Sequence, residues 1–175
     1  MQRTVCARMR FLMKFGGTSV ADAATVRRVV DIIEGYCKEG HEIAVVVSAQ
    51  RGVTDQLIAT ANEVAGNRNT PVIDPFISSL RVRHKAVLTE VGEDFITEVG
   101  GQIEERLCEL GNMLHAVHNL RELTPRSLDY LITYGERLNS IVVSAALRQR
   151  GIPSLVMDGC EAGILTTTQH GEAMA

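Results

Sequence analysis

The chain is poor in the residues that mark several common classes of protein. It has no Trp, three Tyr and four Phe among 175 residues, which leaves little material for stacking nucleic-acid bases. Positive charge is not in excess: 18 Lys and Arg stand against 21 Asp and Glu, a formal net charge of -3. Such a balance gives no field that holds a phosphate backbone, so nucleic acid is not expected as a partner. No apolar stretch approaches the roughly 20 residues of a bilayer crossing, and the opening "MQRTVCARMR" lacks the apolar core of a signal peptide. No membrane partner is expected. The four cysteines, Cys6, Cys37, Cys108 and Cys160, lie far apart without a C-x-x-C pair, which argues against a zinc knuckle or redox dithiol and for a reducing compartment. The cytoplasm is the expected location.

What is present is enough for one compact core: 45% hydrophobic and 22% charged residues, with no repeat and no low-complexity tract. Residues 1–10 read as a ragged leader, because strand-like patterning starts at Phe11. The run Phe11–Phe15 ends at Gly16-Gly17, and Val26, Val29, Val30, Ile33 and Cys37 then recur at helical spacing. Ser19 with Asp22 resembles a capping box, and Gly40 falls just past the helix end. A second strand is expected over Ile43–Ser48, then a turn and a helix from Thr54 to about Ala65. After a loop over residues 66–74, Pro75 to His118 reads as helices broken near Gly92 and Gly100-Gly101. Thr124-Pro125 opens a helix that runs to Arg150 and stops at Gly151. "PSLVMD" (153–158) reads as a third buried strand. This β-α-β-α order with unbroken β-branched runs predicts an α/β fold with a mostly parallel sheet covered by helices on both sides.

Chemistry is expected at the carboxyl ends of those strands, where loops leave a doubly wound sheet. In "MKFGGTSV" (13–20), Lys14 interrupts the apolar run Phe11, Leu12, Met13, Phe15. Lysine is depleted from strands and almost never buried unpaired, so an anion is expected to meet it. Gly16, Gly17, Thr18 and Ser19 follow it, and Ser48, Gly52, Thr54 and Asp55 end the second strand. Two glycine-containing loops that each lead into a helix outline a phosphate site, with Lys14 as a point charge beside them. Neither a Walker A loop nor a G-x-G-x-x-G fingerprint is present, and a plain strand-to-helix turn is the alternative for Gly16-Gly17.

"YGERLNS" (134–140) lies within an otherwise apolar helix. Gly135 costs that helix roughly 1 kcal/mol against alanine, which makes sense if something approaches its backbone closely. Glu136 and Arg137 read either as solvated or ion-paired residues, or, for Glu136, as a grip on a substrate ammonium. His115 and His118 have chelating spacing without further ligands, so they read as a solvated helix end, and His84 and His170 receive the same reading. Ser48 has no His and Asp at recognisable spacing, so no nucleophilic triad is expected.

Together "MKFGGTSV", "VVVSAQRGVTD", "ITYGERLNS" and "GCEAGILTTTQHG" resemble the amino-acid kinase family, and within it the aspartate kinases, in order and spacing from Met13 to about Gly171. The resemblance implies a three-layer αβα sandwich, here incomplete, and ATP-dependent phosphorylation of the side-chain carboxylate of L-aspartate. It implies that Lys14, Phe15, Gly16 and Gly17 hold the ATP phosphates, with Lys14 catalytic and Ser48 in the second phosphate-side loop. Thr54 would contact aspartate and Glu136 would bind its amino group, while Mg2+ bridges the phosphates without a protein metal site. Residues 11–175 would form the N-terminal lobe, lacking the nucleotide lobe and regulatory ACT domains, inactive alone and prone to form a homodimer. Gln50 and Arg51 depart from the small residues commoner in that turn. A regulatory or dimerisation module without catalysis, and a related kinase acting on another carboxylate, are the alternatives.

Overall fold

A computed structural model describes residues 8–66 and 72–171. Strands β1 (Arg10–Phe15) and β2 (Glu42–Val47) pair in parallel, with Phe11 opposite Ile43 and Lys14 opposite Val46. Helix α1 (Ala23–Lys38) makes the crossover between them. Four further helices follow: α2 (Val53–Gly66), α3 (Ile73–Val91), α4 (Ile96–Leu120) and α5 (Pro125–Gln149). The class and the parallel pairing are those expected.

β1 starts one residue before the expected Phe11. The Glu42 N–H donates to Met9 O at 2.9 Å and Arg10 Nε donates to Glu42 Oε2 at 2.7 Å, so the end of the supposed leader belongs to the fold. Residues 1–7 lie outside the described residues. α1 buries Val26, Val29, Val30 and Ile33, the positions its period selects. Its cap differs from the Ser19–Asp22 expectation. Asp22 is the N-cap: its Oδ1 accepts from the Thr25 N–H at 2.8 Å, and Thr25 Oγ1 accepts from the Asp22 N–H at 3.0 Å. Ser19 instead donates its N–H to Gly16 O at 2.8 Å and closes the turn after β1. Gly40 takes φ +87°, the left-handed conformation that ends a helix.

Of the expected loop over 66–74, residues 67–71 lie outside the described residues, and α3 already starts at Ile73. The break at Gly92 is real, but Gly100 and Gly101 sit inside α4. Burial of Val99, Ile103, Leu107, Leu110 and Leu114 along one side outweighs the roughly 1 kcal/mol that each glycine costs a helix. α5 begins as read: Thr124 Oγ1 accepts from the Ser127 N–H at 3.1 Å, ahead of Pro125 at the first helical position.

The third buried strand is not formed. Residues 152–158 have no ladder partner among the described residues and run beside α5, where Ser154 Oγ donates to Ser144 O at 3.2 Å. Ile152 and Val156 pack on the core, whereas Leu155 is 82% exposed. A strand without a neighbour has no ladder, whatever its side-chain pattern. The sheet has one covered face. Met13, Phe15, Ile43, Val45 and Val47 pack on the helical core, while Leu12 (74% exposed), Lys14, Ala44 and Val46 occupy the other face, which no described helix covers.

Candidate active site

The site grows from two turns at the carboxyl ends of β1 and β2 and from the middle of α5. Ala49 is the pivot, only 2% exposed. A Cβ added at Gly135 would come within 2.7 Å of Ala49 Cβ and 3.1 Å of Val53 Cγ1, and one added at Gly17 would lie 2.8 Å from Ala49 O. Glycine at both positions lets α5 and the first turn close on the second turn from two sides. The expected close approach at Gly135 is thus made by the protein itself. Gly16 differs: nothing lies within 4 Å of where its Cβ would be.

Side chains then tie the second turn down. Asn139 Nδ2 donates to Ser48 O at 2.7 Å. Gln50 is 1% exposed, and its Oε1 accepts from Arg83 Nε at 2.8 Å, while Arg83 Nη2 donates to Arg51 O at 2.7 Å. The bulk at Gln50 is therefore accommodated by α3. Gln50 Nε2 and Asn139 Oδ1 are buried without a hydrogen-bond partner among the described residues, each costing roughly 1–3 kcal/mol. Arg83 was invisible in the sequence, 33 residues from Gln50 and without a motif. Asn139 lay within a motif, but its bond to Ser48 carries no local signal.

Strand alternation explains Lys14. The apolar neighbours Met13 and Phe15 face the core, and Lys14 stands on the open face with Leu12, so it does not sit amid buried apolar side chains as expected. Lys14 forms no ion pair among the described residues. Its electrostatic partner is Glu136: crowding by the protein raises the Glu136 pKa, and the Lys14 ammonium pulls it back down. Glu136 nonetheless keeps its access to solvent. Phe15 places its side chain on the core side and contributes only backbone here, its O accepting the Ser48 N–H at 3.0 Å. Thr54 is half-buried in the first turn of α2.

Arg137 takes the ion-paired reading. It stacks on the Tyr130 and Tyr134 rings at 5.0 and 5.3 Å and reaches Asp158 Oδ2 at 3.5 Å, an oxygen that Arg106 shares at 3.7 Å. A groove of about 250 Å³ opens there, but its lining includes none of Lys14, Ser48, Thr54 and Glu136, and its cations are already paired. His84 is fully buried, not solvated, with Nδ1–H directed to Leu80 O at 2.8 Å, and burial lowers its pKa. His170 approaches Asp129 at 3.4 Å, and His118 Nδ1 lies 3.3 Å from Val64 O. Cys37, Cys108 and Cys160 are free thiols, and no described helix is long and apolar enough to cross a membrane.

One stretch of α5 thus reaches both turns: Gly135 packs against Ala49 and Asn139 Nδ2 donates to Ser48 O, while between them Glu136 feels the Lys14 charge and Arg137 pairs with Asp158. The model of the amino acid kinase family matches residues 9–174. The chain belongs to that family. Among its relatives, this amino acid kinase chain is 31% identical over 158 residues to aspartokinase 1, chloroplastic, of Arabidopsis thaliana, covering 89% of this chain and 26% of that protein. It is 32% identical to aspartokinase 3, chloroplastic, of the same plant, covering 93% and 28%, and 28% identical to the aspartokinase of Mycobacterium bovis, covering 93% and 25%. It therefore spans about a quarter of the length of these relatives. The fold matches E. coli aspartokinase III in complex with lysine and aspartate at a TM-score of 0.79, with 24% identity, over 95% of this chain and 34% of that one. The same enzyme in complex with aspartate and ADP matches at 0.67, with 25% identity, over 83% and 30%.

Proposed function

We propose that this chain is the substrate-side lobe of an aspartate kinase, which moves the terminal phosphoryl group of ATP to the side-chain carboxylate of L-aspartate. The product would be 4-phospho-L-aspartate, at the head of lysine, threonine and methionine synthesis. The observation that carries the reading is the closure of two glycine turns, at the carboxyl ends of β1 and β2, by α5, with Gly17 and Gly135 against Ala49 and Asn139 Nδ2 donating to Ser48 O. The carboxylate nucleophile is already ionised, so no general base is required. As the new oxygen–phosphorus bond forms, the bond from the γ-phosphorus to the bridging oxygen breaks and ADP leaves. The difficulty is repulsion between two anions, and fixed positive charge answers it. The Lys14 ammonium and the uncovered backbone at Gly16 supply that charge. The Glu136 carboxylate would take the ammonium of aspartate, the Lys14 charge offsetting part of the rise that crowding causes in its pKa, and the Thr54 hydroxyl would contact the same substrate. Mg2+ would ride on the nucleotide phosphates and add to the positive charge there. The relatives named aspartokinase and the neighbour solved with aspartate and ADP support the choice of substrates.

A nitrogen–proton NMR titration of the chain with magnesium-ADP and with L-aspartate tests this. Both ligands should shift amides of residues 14–19 or 48–54, and Lys14→Met should weaken ADP by roughly 10- to 100-fold, the loss of one charged hydrogen bond. Absence of any shift with either ligand would refute the proposal. A second reading, a dimerisation module, is favoured by the uncovered apolar residues Leu12 and Val46 on the open sheet face.

A further inference from the structure

The turn after β2 carries more fixed geometry than a strand-to-helix connection requires. Three of its carbonyls are taken by donors on the protein side: Ser48 O by Asn139 Nδ2 at 2.7 Å, Gln50 O by the Val53 N–H at 3.0 Å, and Arg51 O by Arg83 Nη2 at 2.7 Å. Every described peptide bond is trans, and in a trans peptide the N–H lies antiparallel to the C=O of the same plane. The N–H groups of Ala49, Arg51 and Gly52 are therefore turned away from α5, from the body of α2 and from α3 respectively. Gly52 takes φ +80°, and nothing lies within 4 Å of where its Cβ would be, so no side chain of the fold is packed on it there.

From this we infer that Arg83 is a positioning residue of the phosphate site. Its guanidinium uses two edges at once, Nε on Gln50 Oε1 at 2.8 Å and Nη2 on Arg51 O, and so locks the turn in the orientation that presents three amides to an anion. The buried Gln50 is the strut between them, which gives a reason for a long polar side chain where a small one would serve a simple turn. Arg83 spends its donors on the turn and acts through it, not on the nucleotide. The inference rests on the phosphate reading of the site given above.

The test is the same NMR titration of the complete 175-residue chain with magnesium-ADP, read residue by residue. The amides of Ala49, Arg51 and Gly52 should shift together with those of Gly16 and Gly17. Shifts at Gly16 and Gly17 with none at the other three overturn this inference and leave the phosphate reading standing; no shifts at all overturn both. Arg83→Lys then separates geometry from charge, because an ammonium keeps the positive charge but cannot reproduce the two-edged fork. It should weaken ADP about tenfold while changing L-aspartate affinity less than about threefold and leaving the far-ultraviolet circular dichroism unchanged. An ADP affinity equal to wild type, or an equal loss for both ligands, refutes the role. Should Arg83→Lys fail to fold, the wild-type amide shifts decide the matter by themselves.

Discussion

At the scale of single residues, the tightest constraint is a methyl group. Ala49 Cβ fills the space that a side chain at position 135 would need, and Val53 and Leu57 close the same pocket with no solvent to yield into. Gly135→Ala should thus lose about 1–2 kcal/mol, overpacking outweighing the roughly 1 kcal/mol gained in helix propensity. Gly101→Ala, exposed in α4 with nothing within 4 Å, should gain up to about 1 kcal/mol. Urea midpoints should fall in the order Gly101→Ala, wild type, Gly135→Ala. The glycine itself was legible as an anomaly in an apolar helix; its partner was not, because Ala49 lies 86 residues away and carries no signature. Glu136 gives a pH-dependent prediction. Crowding raises its folded pKa above the ordinary 4.5, so the folded state binds the proton more readily than the unfolded chain, and stability is lost as pH rises through the folded value. Glu136→Gln should remove that loss, equalling or exceeding wild-type stability at pH 7, with the difference closing as pH falls toward 4.5. Thermal melts across pH 4–8 check this, and a mutant that is less stable at pH 7 would contradict it.

Between residues and the whole lie the elements, where local chemistry decided most boundaries. Thr124-Pro125 and Gly92 were read correctly because a cap and a break are short-range features. Where two caps competed, tertiary placement chose. Ser19 and Asp22 both have the chemistry of an N-cap, and the turn that Ser19 closes on Gly16 leaves Asp22 at the helix mouth. Asp22→Ala should therefore cost about 1 kcal/mol, and Ser19→Ala only a few tenths, in chemical denaturation. Equal costs would restore the Ser19 assignment. Two elements differ from their local pattern, each for its own tertiary reason. Gly100-Gly101 looked like a break and 153–158 looked like a buried strand, yet one is overruled by the packing of α4 and the other lacks a ladder partner.

At the scale of the molecule, the two-stranded sheet presents Leu12 and Val46 on a face that no described helix covers. Exposed apolar surface of this sort favours association. Sedimentation velocity at micromolar concentration should show self-association, and Leu12→Thr with Val46→Thr, which keeps strand propensity and removes apolar surface, should shift the protein toward monomer. An unchanged distribution would place any contact elsewhere.

Periodicity, caps and glycine punctuation settled the α/β class, the βαβ opening and most helix limits, because these depend on residues within a few positions of one another. The motifs likewise marked Lys14, the two turns and Glu136 as neighbours in chemistry. Only the tertiary structure decided which sheet face stays open, that Phe15 turns inward while Lys14 turns outward, and that Arg83 and Asn139 clamp the second turn. The face is chosen by where the helices pack, and the clamp depends on contacts between positions 33 and 91 residues apart, where sequence distance carries no information about distance in space.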